Sequence, residues 1–350
     1  MATGSFRIGR REVGDGHPTF IVAELSANHG CSLERAKRIV EAAAQSGADA
    51  IKVQTYTADT VTVDSDNEHF RIKGTVWDGR TLYDLYNEAH LPWEWHAPLQ
   101  RVALDLGLEF FSTPFDATSV DFLVSLNVPA WKIASFEMVD LPLIRKVAGT
   151  GQPLIMSTGM ATRAEIAEAV AAATPGGSGP LVLLKCTSSY PAEPEDMHLR
   201  TIPDMAAHFG VPVGLSDHTM GIAVPVAAVA LGACVIEKHL TMSRDEPGPD
   251  SAFSLEPAEF RAMVDAVRIA ERAAGSVSYD VSASEAASRG FRRSLFVVQD
   301  MKVGDQFSPQ TVRSIRPAAG LHTRHLDEVL GRLAARDIRK GTPLSWDLLQ

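Results

Sequence analysis

The chain has 350 residues, of which 45% are apolar and 22% are charged. These fractions are those of an ordinary globular protein and exclude a wholly disordered, collagen-like or coiled-coil chain. It has 33 basic and 43 acidic residues, which gives a formal charge of −10. This net negative charge does not favour binding to nucleic acid, which is itself negatively charged. No stretch approaches the ~18 consecutive apolar residues that span a bilayer, and the start MATGSFRIGRR lacks the apolar region of a signal peptide. We therefore expect a cytoplasmic protein with neither a nucleic-acid partner nor a membrane partner.

A short apolar run followed by an amphipathic helical segment repeats along the first three quarters of the chain. Most runs are nearly continuous in Val, Ile, Leu or Phe, which is typical of parallel strands covered on both faces. Eight such units predict a (β/α)8 barrel, whose usual size is ~250 residues. A doubly wound open sheet is the alternative, but the sequence contains no G-x-G-x-x-G turn. The predicted strands are 20–26, 50–55, 108–113, 130–135, 153–158, 181–187, 211–218 and 234–239.

Helix candidates lie between these runs. The clearest, 33–46, follows the N-cap candidate Ser32 and stops at Gly47. Its predicted buried face consists of Ala36, Ile39, Val40 and Ala43. Further helices are predicted at 94–106, 163–173, 222–231 and 257–273.

One connection, 56–93, is unusually long and rich in aromatic and charged residues. It follows the second predicted strand, on the side where a barrel builds its active site. Long ordered loops in this position often act as lids.

The character of the sequence changes after the last helix candidate. We predict a barrel domain over 1–275, a serine-rich linker over 276–290 and a small β-rich domain over 291–350. The last of these contains a short internal repeat, in which residues 300–308 are echoed by 337–345.

Polar residues end nearly every predicted strand, and in a barrel those side chains converge on one active site. His218 and His239 end consecutive strands, so their imidazoles could share one divalent ion. With two nitrogen ligands and open positions, Mn²⁺ or Mg²⁺ in a Lewis-acid role suits them better than a closed zinc site. The other strand-end residues include Glu24, Lys52, Gln54, Thr113, Lys132, Ser135, Glu137, Ser157, Ser188, Ser216, Asp217 and Glu237.

Two lysines in this set, Lys52 and Lys132, together with neighbouring hydroxyl groups, are suited to hold a phosphate and a carboxylate. An alternative hypothesis is that Lys132 or Lys185 forms a Schiff base with the substrate, as lysines of barrel aldolases do. Glu24 and Glu137 are suited to act as a general acid or base. The alternative is that each carboxylate only forms an ion pair with Lys52 or Lys132. The three cysteines, Cys31, Cys186 and Cys234, show no paired or metal-ligand spacing and are assigned no chemistry.

Eight motifs in this order resemble the sialic acid synthases, and the tail segments IRP (315–317) and DIRKG (337–341) resemble their C-terminal antifreeze-like domain. Within this family, the segments 23–29, 54–62, 77–90 and 250–257 are most similar to the members that make pseudaminate. Ser26 and Ser188 stand where N-acetylneuraminate synthases usually carry Gly and Asn. The eight motifs are AELSANH (23–29), IKVQT (51–55), FSTPFD (111–116), WKIASFE (131–137), STGMAT (157–162), KCTSSYP (185–191), GLSDHT (214–219) and IEKH (236–239).

The resemblance implies a metal-dependent condensation of phosphoenolpyruvate with an amino-sugar aldehyde. It implies that His218 and His239 are the metal ligands, with Mn²⁺ expected and Mg²⁺ or Co²⁺ as alternatives, and that Glu24 is the catalytic carboxylate. It also implies that Arg316, in the small domain, reaches the sugar site of a partner subunit, so we expect a domain-swapped homodimer. The positions that match phosphoenolpyruvate contacts are Lys52, Thr113, Lys132, Ser135, Ser157, Ser188 and Ser216, with Glu137, Tyr190, Glu237 and Asp250 as further pocket residues.

Two other functions stay open at this point. The acceptor sugar could be that of an N-acetylneuraminate or legionaminate synthase, or the barrel could be a Schiff-base lyase. A non-catalytic carbohydrate-binding protein would leave the lysines, glutamates and histidine pair unexplained.

Overall fold

The computed structural model describes residues 4–74, 77–174, 178–246 and 248–350. Within them, eight parallel strands, β3 to β10, close into a barrel in chain order, with the last strand pairing with the first. This confirms the predicted (β/α)8 barrel, and every predicted strand overlaps an observed one. The strands are β1 (Ser5–Ile8), β2 (Arg11–Gly14), β3 (Phe20–Glu24), β4 (Ala50–Thr55), β5 (Glu109–Pro114), β6 (Trp131–Ile133), β7 (Leu154–Ser157), β8 (Leu181–Cys186), β9 (Val213–Asp217), β10 (Val235–His239), β11 (Ser294–Val297) and β12 (Val312–Ile315).

Helices follow the barrel strands and form the outer layer. Over the described part of the chain, no helix is both long enough and apolar enough to cross a membrane. The helices are α1 (Leu33–Gln45), α2 (Ala58–Val61), α3 (Leu82–Ala89), α4 (His96–Asp105), α5 (Ala117–Ser125), α6 (Leu141–Ala148), α7 (Arg163–Ala173), α8 (Thr201–Phe209), α9 (Ala223–Ala230), α10 (Pro257–Ala274), α11 (Ala283–Ala286) and α12 (Leu326–Val329).

The first of these helices, α1, forms as its sequence predicts. The side chain of Ser32 accepts a hydrogen bond from the backbone N–H of Arg35 and so caps the first turn. Gly47, just after the helix, has a φ of +84°, which favours glycine and lets the chain turn into β4. The predicted face of Ala36, Ile39, Val40 and Ala43 is buried.

A hairpin of β1 and β2 precedes the barrel and was not predicted from the sequence. Ile8 and Val13 are fully buried in the main core. The side chain of Arg10 pairs with Glu109, the first residue of β5, at 3.1 Å. Because the barrel strands are parallel, the hairpin lies at their N-terminal ends, opposite the predicted active site.

The long connection after β4 carries α2 and α3; its residues 75 and 76 lie outside the described residues. The indole Nε1 of Trp77 donates a hydrogen bond to the carbonyl of Pro249 at 3.0 Å. The ring of Trp77 also lies 5.7 Å from that of Tyr190, measured between centroids. This connection therefore contacts segments that follow β8 and β10, at the C-terminal end of the barrel.

The chain divides into two compact units, with the boundary between Gly275 and Ser276. In the second unit β11 and β12 pair antiparallel. The predicted internal repeat places Met301 and Ile338 opposite each other in an antiparallel bridge, and both are buried in the core of this unit. The predicted linker 276–290 contains the helix α11, so it is not devoid of secondary structure.

Candidate active site

Strand register decides which side chains share the barrel interior. Glu24 lies beside Lys52 on one neighbouring strand and beside His239 on the other. Likewise, Ser216 lies beside Glu237 and Cys186. Residues paired across neighbouring strands point to the same face, so these side chains meet inside the C-terminal end of the barrel.

The ammonium of Lys52 lies at the centre of one group of contacts. Its Nζ is 2.5 Å from Oε2 of Glu24 and 3.5 Å from Oε1 of Glu237, and it donates a hydrogen bond to Oγ1 of Thr113 at 3.2 Å. Burial acts to lower the pKa of Lys52, but Glu237 and Glu24 outweigh it and raise the pKa. Lys52 is therefore a buried cation held between two carboxylates.

Lys132 approaches the same carboxylate from the other side. Its Nζ donates hydrogen bonds to Oγ of Ser157 at 2.6 Å and to the carbonyl of Ile133 at 3.0 Å, and lies 3.8 Å from Oε1 of Glu237. Burial raises the pKa of Glu237, but Lys132 and Lys52 outweigh burial and hold the pKa below its ordinary value. Two buried ammonium groups thus converge on one point, an arrangement that suits an anion.

Two serine hydroxyls flank Gly159 near this point. The backbone N–H of Gly159 donates to Oγ of Ser135 at 3.1 Å. A Cβ atom at position 159 would lie 2.7 Å from that Oγ and would also collide with Oγ of Ser188. The glycine is therefore what allows both hydroxyls to lie against the backbone there.

His218 and His239 lie together as the sequence predicts, with ring centroids 5.4 Å apart. Nδ1 of His218 is 2.9 Å from the carbonyl of Thr187, so Nδ1 carries a proton, and Nε2 has the lone pair when the ring is neutral. Burial lowers the pKa of His218, but Cys186 and the Thr187 carbonyl outweigh burial and raise the pKa. Nδ1 of His239 is buried and has no hydrogen-bond partner among the described residues. Burial, followed by the proximity of His218, holds the pKa of His239 well below its usual range, so this imidazole is neutral.

Neutral imidazoles are the form that binds metal ions. In the part of the chain that the structure describes, no group of three or more His, Cys, Asp or Glu side chains has the arrangement of a metal site. A divalent ion held by His218 and His239 would complete its coordination with substrate or water oxygens, as an open catalytic site requires.

A second group of polar contacts lies beside Glu24. Nε2 of Gln54 donates to Oε1 of Glu24 at 3.3 Å and to Oγ of Ser26 at 3.2 Å. Oγ of Ser26 in turn donates to the partly buried carboxylate of Asp250. Burial raises the pKa of Asp250, and the hydrogen bonds from Ser26 and Ala27 oppose this effect. Asp250, predicted from the resemblance alone, thus lies next to the catalytic candidate Glu24.

Glu137 and Tyr190 border the same region. Burial raises the pKa of Glu137 to about 7. Its Oε2 is buried and makes no hydrogen bond to any described residue. The ring of Tyr190 lies 4.4 Å from that of His218 and 5.1 Å from that of Phe253, measured between centroids. Tyr190 therefore forms part of an aromatic wall beside the histidine pair.

Two residues of the barrel that were named from the sequence, Asp217 and Lys185, do not face this pocket. Asp217 lies on the opposite face of β9 from Ser216, where it pairs with Lys238. This position argues against the predicted substrate contact, because alternate residues of a strand face opposite sides.

Lys185 also points away from the interior, and its Nζ donates to Oγ1 of Thr187 at 3.2 Å. Arg316 is exposed in the second unit, and its role stays a prediction.

Two residues of the pocket, Cys186 and Phe253, were not predicted from the sequence. Cys186, assigned no chemistry, has its Sγ 3.9 Å from Nδ1 of His218 and 4.0 Å from Oγ of Ser188. Strand alternation could have identified Cys186, since it is paired with the inward-facing Ser216.

Phe253 is buried with its ring centroid 5.0 Å from that of His239, and no pattern in the sequence marks it as a pocket residue.

A closed parallel barrel with buried lysines, carboxylates and paired histidines at its C-terminal end defines a barrel enzyme. The chain belongs to the NeuB family, whose model matches residues 39–279, and a SAF domain matches residues 292–350. This confirms the family predicted from the eight motifs.

Relatives cover almost the whole chain. It is 47% identical over 344 residues to a pseudaminic acid synthase of Campylobacter jejuni, covering 98% of each. It is 38% identical over 347 residues to an N,N'-diacetyllegionaminic acid synthase of Legionella pneumophila, also covering 98% of each. The crystal structure of an N-acetylneuraminic acid synthetase from Leptospira borgpetersenii superposes with a TM-score of 0.74 at 31% identity, covering 82% of this chain and 95% of that one.

Proposed function

We propose that the protein is a pseudaminic acid synthase. It would join phosphoenolpyruvate to 2,4-diacetamido-2,4,6-trideoxy-L-altrose and release pseudaminate and phosphate. The observation that carries this proposal is the pocket of two buried lysines beside a histidine pair, in a chain 47% identical to a pseudaminic acid synthase.

Phosphoenolpyruvate brings a carboxylate and a phosphate, and the pocket supplies cations and hydroxyl groups for both. Lys52 and Lys132 both lie within 4 Å of Glu237, which provides their counter-charge when no anion is bound. The bound substrate would take over part of that role, because charge-assisted hydrogen bonds to phosphate and carboxylate are strong. The hydroxyl groups that would complete the contacts are those of Thr113, Ser135, Ser157, Ser188 and Ser216.

The chemistry forms one carbon–carbon bond and breaks one carbon–oxygen bond. C3 of phosphoenolpyruvate attacks the aldehyde carbon of the sugar, and the aldehyde oxygen takes up a proton to become a hydroxyl group. Water adds at C2, and the bond between C2 and the phosphate oxygen then breaks. We propose that Glu24 orients this water molecule and accepts its proton.

His218 and His239 would hold a divalent ion, Mn²⁺ by expectation, with Mg²⁺ or Co²⁺ as alternatives. When bound there, such an ion polarises the aldehyde oxygen and neutralises the charge that develops on it. The aromatic ring of Phe253, which lies 5.0 Å from that of His239 between centroids, would cover one side of the histidine pair.

The acceptor sugar would lie against Gln54, Glu137, Tyr190 and Asp250. We expect Arg316 of a second copy to complete this end of the site, which requires a domain-swapped homodimer. The alternatives within the family are an N-acetylneuraminate or a legionaminate synthase, and the relative from Legionella keeps the second of these open.

Two lysine variants test the proposed reaction against a Schiff-base lyase. Lys132→Met removes an ammonium from the pocket, whereas Lys185→Met removes one that points away from it. We expect the protein to release phosphate from phosphoenolpyruvate only with a divalent ion and an amino-sugar aldehyde, Lys185→Met to keep this activity, and Lys132→Met to lose it. Turnover that survives a chelator, together with borohydride trapping of a covalent adduct at Lys132, would contradict the synthase and support the lyase.

A further inference from the structure

Asp217 and Lys238 form an ion pair in which neither side chain is exposed to solvent. The two residues face each other across β9 and β10. They lie on the outer face of the barrel, because Ser216 and Glu237, the residues before them, face the interior. Neither side chain therefore reaches the reacting groups directly.

The pair is tied to the backbone of Thr219, the residue directly after His218. Oδ1 of Asp217 accepts hydrogen bonds from the backbone N–H of Thr219 at 2.9 Å and from its Oγ1 at 2.8 Å. Nζ of Lys238 donates to the carbonyl of Thr219. His218 thus lies in a turn whose two flanking residues are bound to each other, and Lys238 directly precedes His239 in the chain.

A buried ion pair is costly to form, and stability alone does not explain one. Removing two charges from water costs several kcal/mol per ion, and apolar residues of similar size are often as stabilising. What a fixed pair provides is a defined position for the backbone around it. Metal sites need such definition, because ligand distances are held to within about 0.2 Å.

We propose that the Asp217–Lys238 ion pair is a positioning element that holds His218 and His239 at the separation needed to share one divalent ion. One peptide bond joins each histidine to a member of the pair, so displacement of either strand end changes the distance between the imidazoles. The inference rests on the proposed function, since it takes the histidine pair as the metal site.

The test compares two charge-neutral double variants of the full-length protein. Asp217→Asn with Lys238→Met removes the pair without leaving an unpaired buried charge. Asp49→Asn with Arg268→Met removes a partly buried ion pair of 2.8 Å at the opposite end of the barrel and serves as a control far from the histidines. Binding of Mn²⁺ is followed by the EPR signal of the free ion, and binding of phosphoenolpyruvate is measured separately without metal.

We expect the first double variant to bind Mn²⁺ about 10- to 100-fold more weakly than the wild type, the effect typical of residues that orient metal ligands. Its affinity for phosphoenolpyruvate should stay within about twofold, since the lysine pocket is intact, and the control should keep the wild-type affinity for Mn²⁺. Thr219→Val, which removes one hydrogen bond to Asp217 and keeps both charges paired, serves as a second variant and should weaken Mn²⁺ binding by about fivefold, the worth of one hydrogen bond.

Failure of the proposed function and failure of the positioning role give different results. A wild-type protein that binds no Mn²⁺ would contradict the metal site of the proposed function. A wild-type protein that binds Mn²⁺, with unchanged affinity in Thr219→Val and in the folded double variant, would overturn the positioning role alone.

Discussion

The Nζ atom of Lys52 lies 2.5 Å from Oε2 of Glu24, and both side chains are almost fully buried. The two residues are register partners on neighbouring strands, so the closed barrel fixes this contact. Burial raises the pKa of Glu24 to about 7, and Lys52 opposes that effect. A carboxyl group that titrates near neutral pH can both accept and return a proton, which suits a general base.

Replacing Glu24 with glutamine should remove the base while keeping the shape of the pocket. We expect kcat to fall by about 10²- to 10⁴-fold, the usual contribution of general acid–base catalysis. The affinity for phosphoenolpyruvate should change little, because Lys52 and Lys132 keep Glu237 as their counter-charge. Steady-state kinetics and direct binding of phosphoenolpyruvate measure the two effects, and near-normal turnover with intact binding would show that Glu24 is not the base.

Gly159→Ala should weaken phosphoenolpyruvate binding. The added Cβ would lie 2.7 Å from Oγ of Ser135 and would collide with Oγ of Ser188, so at least one hydroxyl must move. Loss of one hydrogen bond to a charged group costs about 1.5–3 kcal/mol, so we expect the dissociation constant of phosphoenolpyruvate to rise by about 10- to 150-fold. Gly290→Ala, where a Cβ meets open space, is the control and should bind normally. Equal affinities in the two variants would contradict a role for these serines in binding the anion.

The buried carboxyl of Glu137 should make stability depend on pH. Burial raises its pKa from 4.5 to about 7, so the folded state binds this proton more tightly than the unfolded state. The resulting stability is fully present below pH 4.5 and is lost as the pH rises to about 7. At about 1.4 kcal/mol per pKa unit, the loss is of the order of 3 kcal/mol.

Glu137→Gln should therefore gain stability relative to the wild type as the pH rises from 4.5 to 7, with no further gain above that. Urea unfolding of both proteins at a series of pH values measures the difference. A difference that does not change with pH would show that the side chain is not buried in this way.

Much of the fold could be predicted from the sequence, because parallel strands buried on both faces leave continuous apolar runs. The buried face of α1 follows in the same way from its helical periodicity. The β1–β2 hairpin could not be predicted, since its strands have four residues each and only Ile8 and Val13 of them are apolar and fully buried. Such short strands leave too weak a periodicity to recognise.

Some residues of the site could be predicted from the sequence and others could not. Residues at strand ends, such as Lys52 and His239, could be found because a barrel gathers them at one end. The face of the strand on which each side chain lies was harder to find, and this is why Asp217 was included and Cys186 was left out. Contacts made through loops, such as those of Phe253 with the histidines, depend on backbone paths that no local pattern encodes.

The measurement that tests the central claim most directly is phosphate release from phosphoenolpyruvate with Mn²⁺ and three sugars offered separately. These are 2,4-diacetamido-2,4,6-trideoxy-L-altrose, the corresponding precursor of legionaminate, and N-acetylmannosamine, each with and without a chelator. A site that hydrogen-bonds one pattern of substituents can reject another strongly, so we expect chelator-sensitive turnover with the altrose sugar and little with the other two. Preferential turnover of either other sugar would contradict pseudaminate synthesis, and no phosphate release with any of them would contradict the condensation itself.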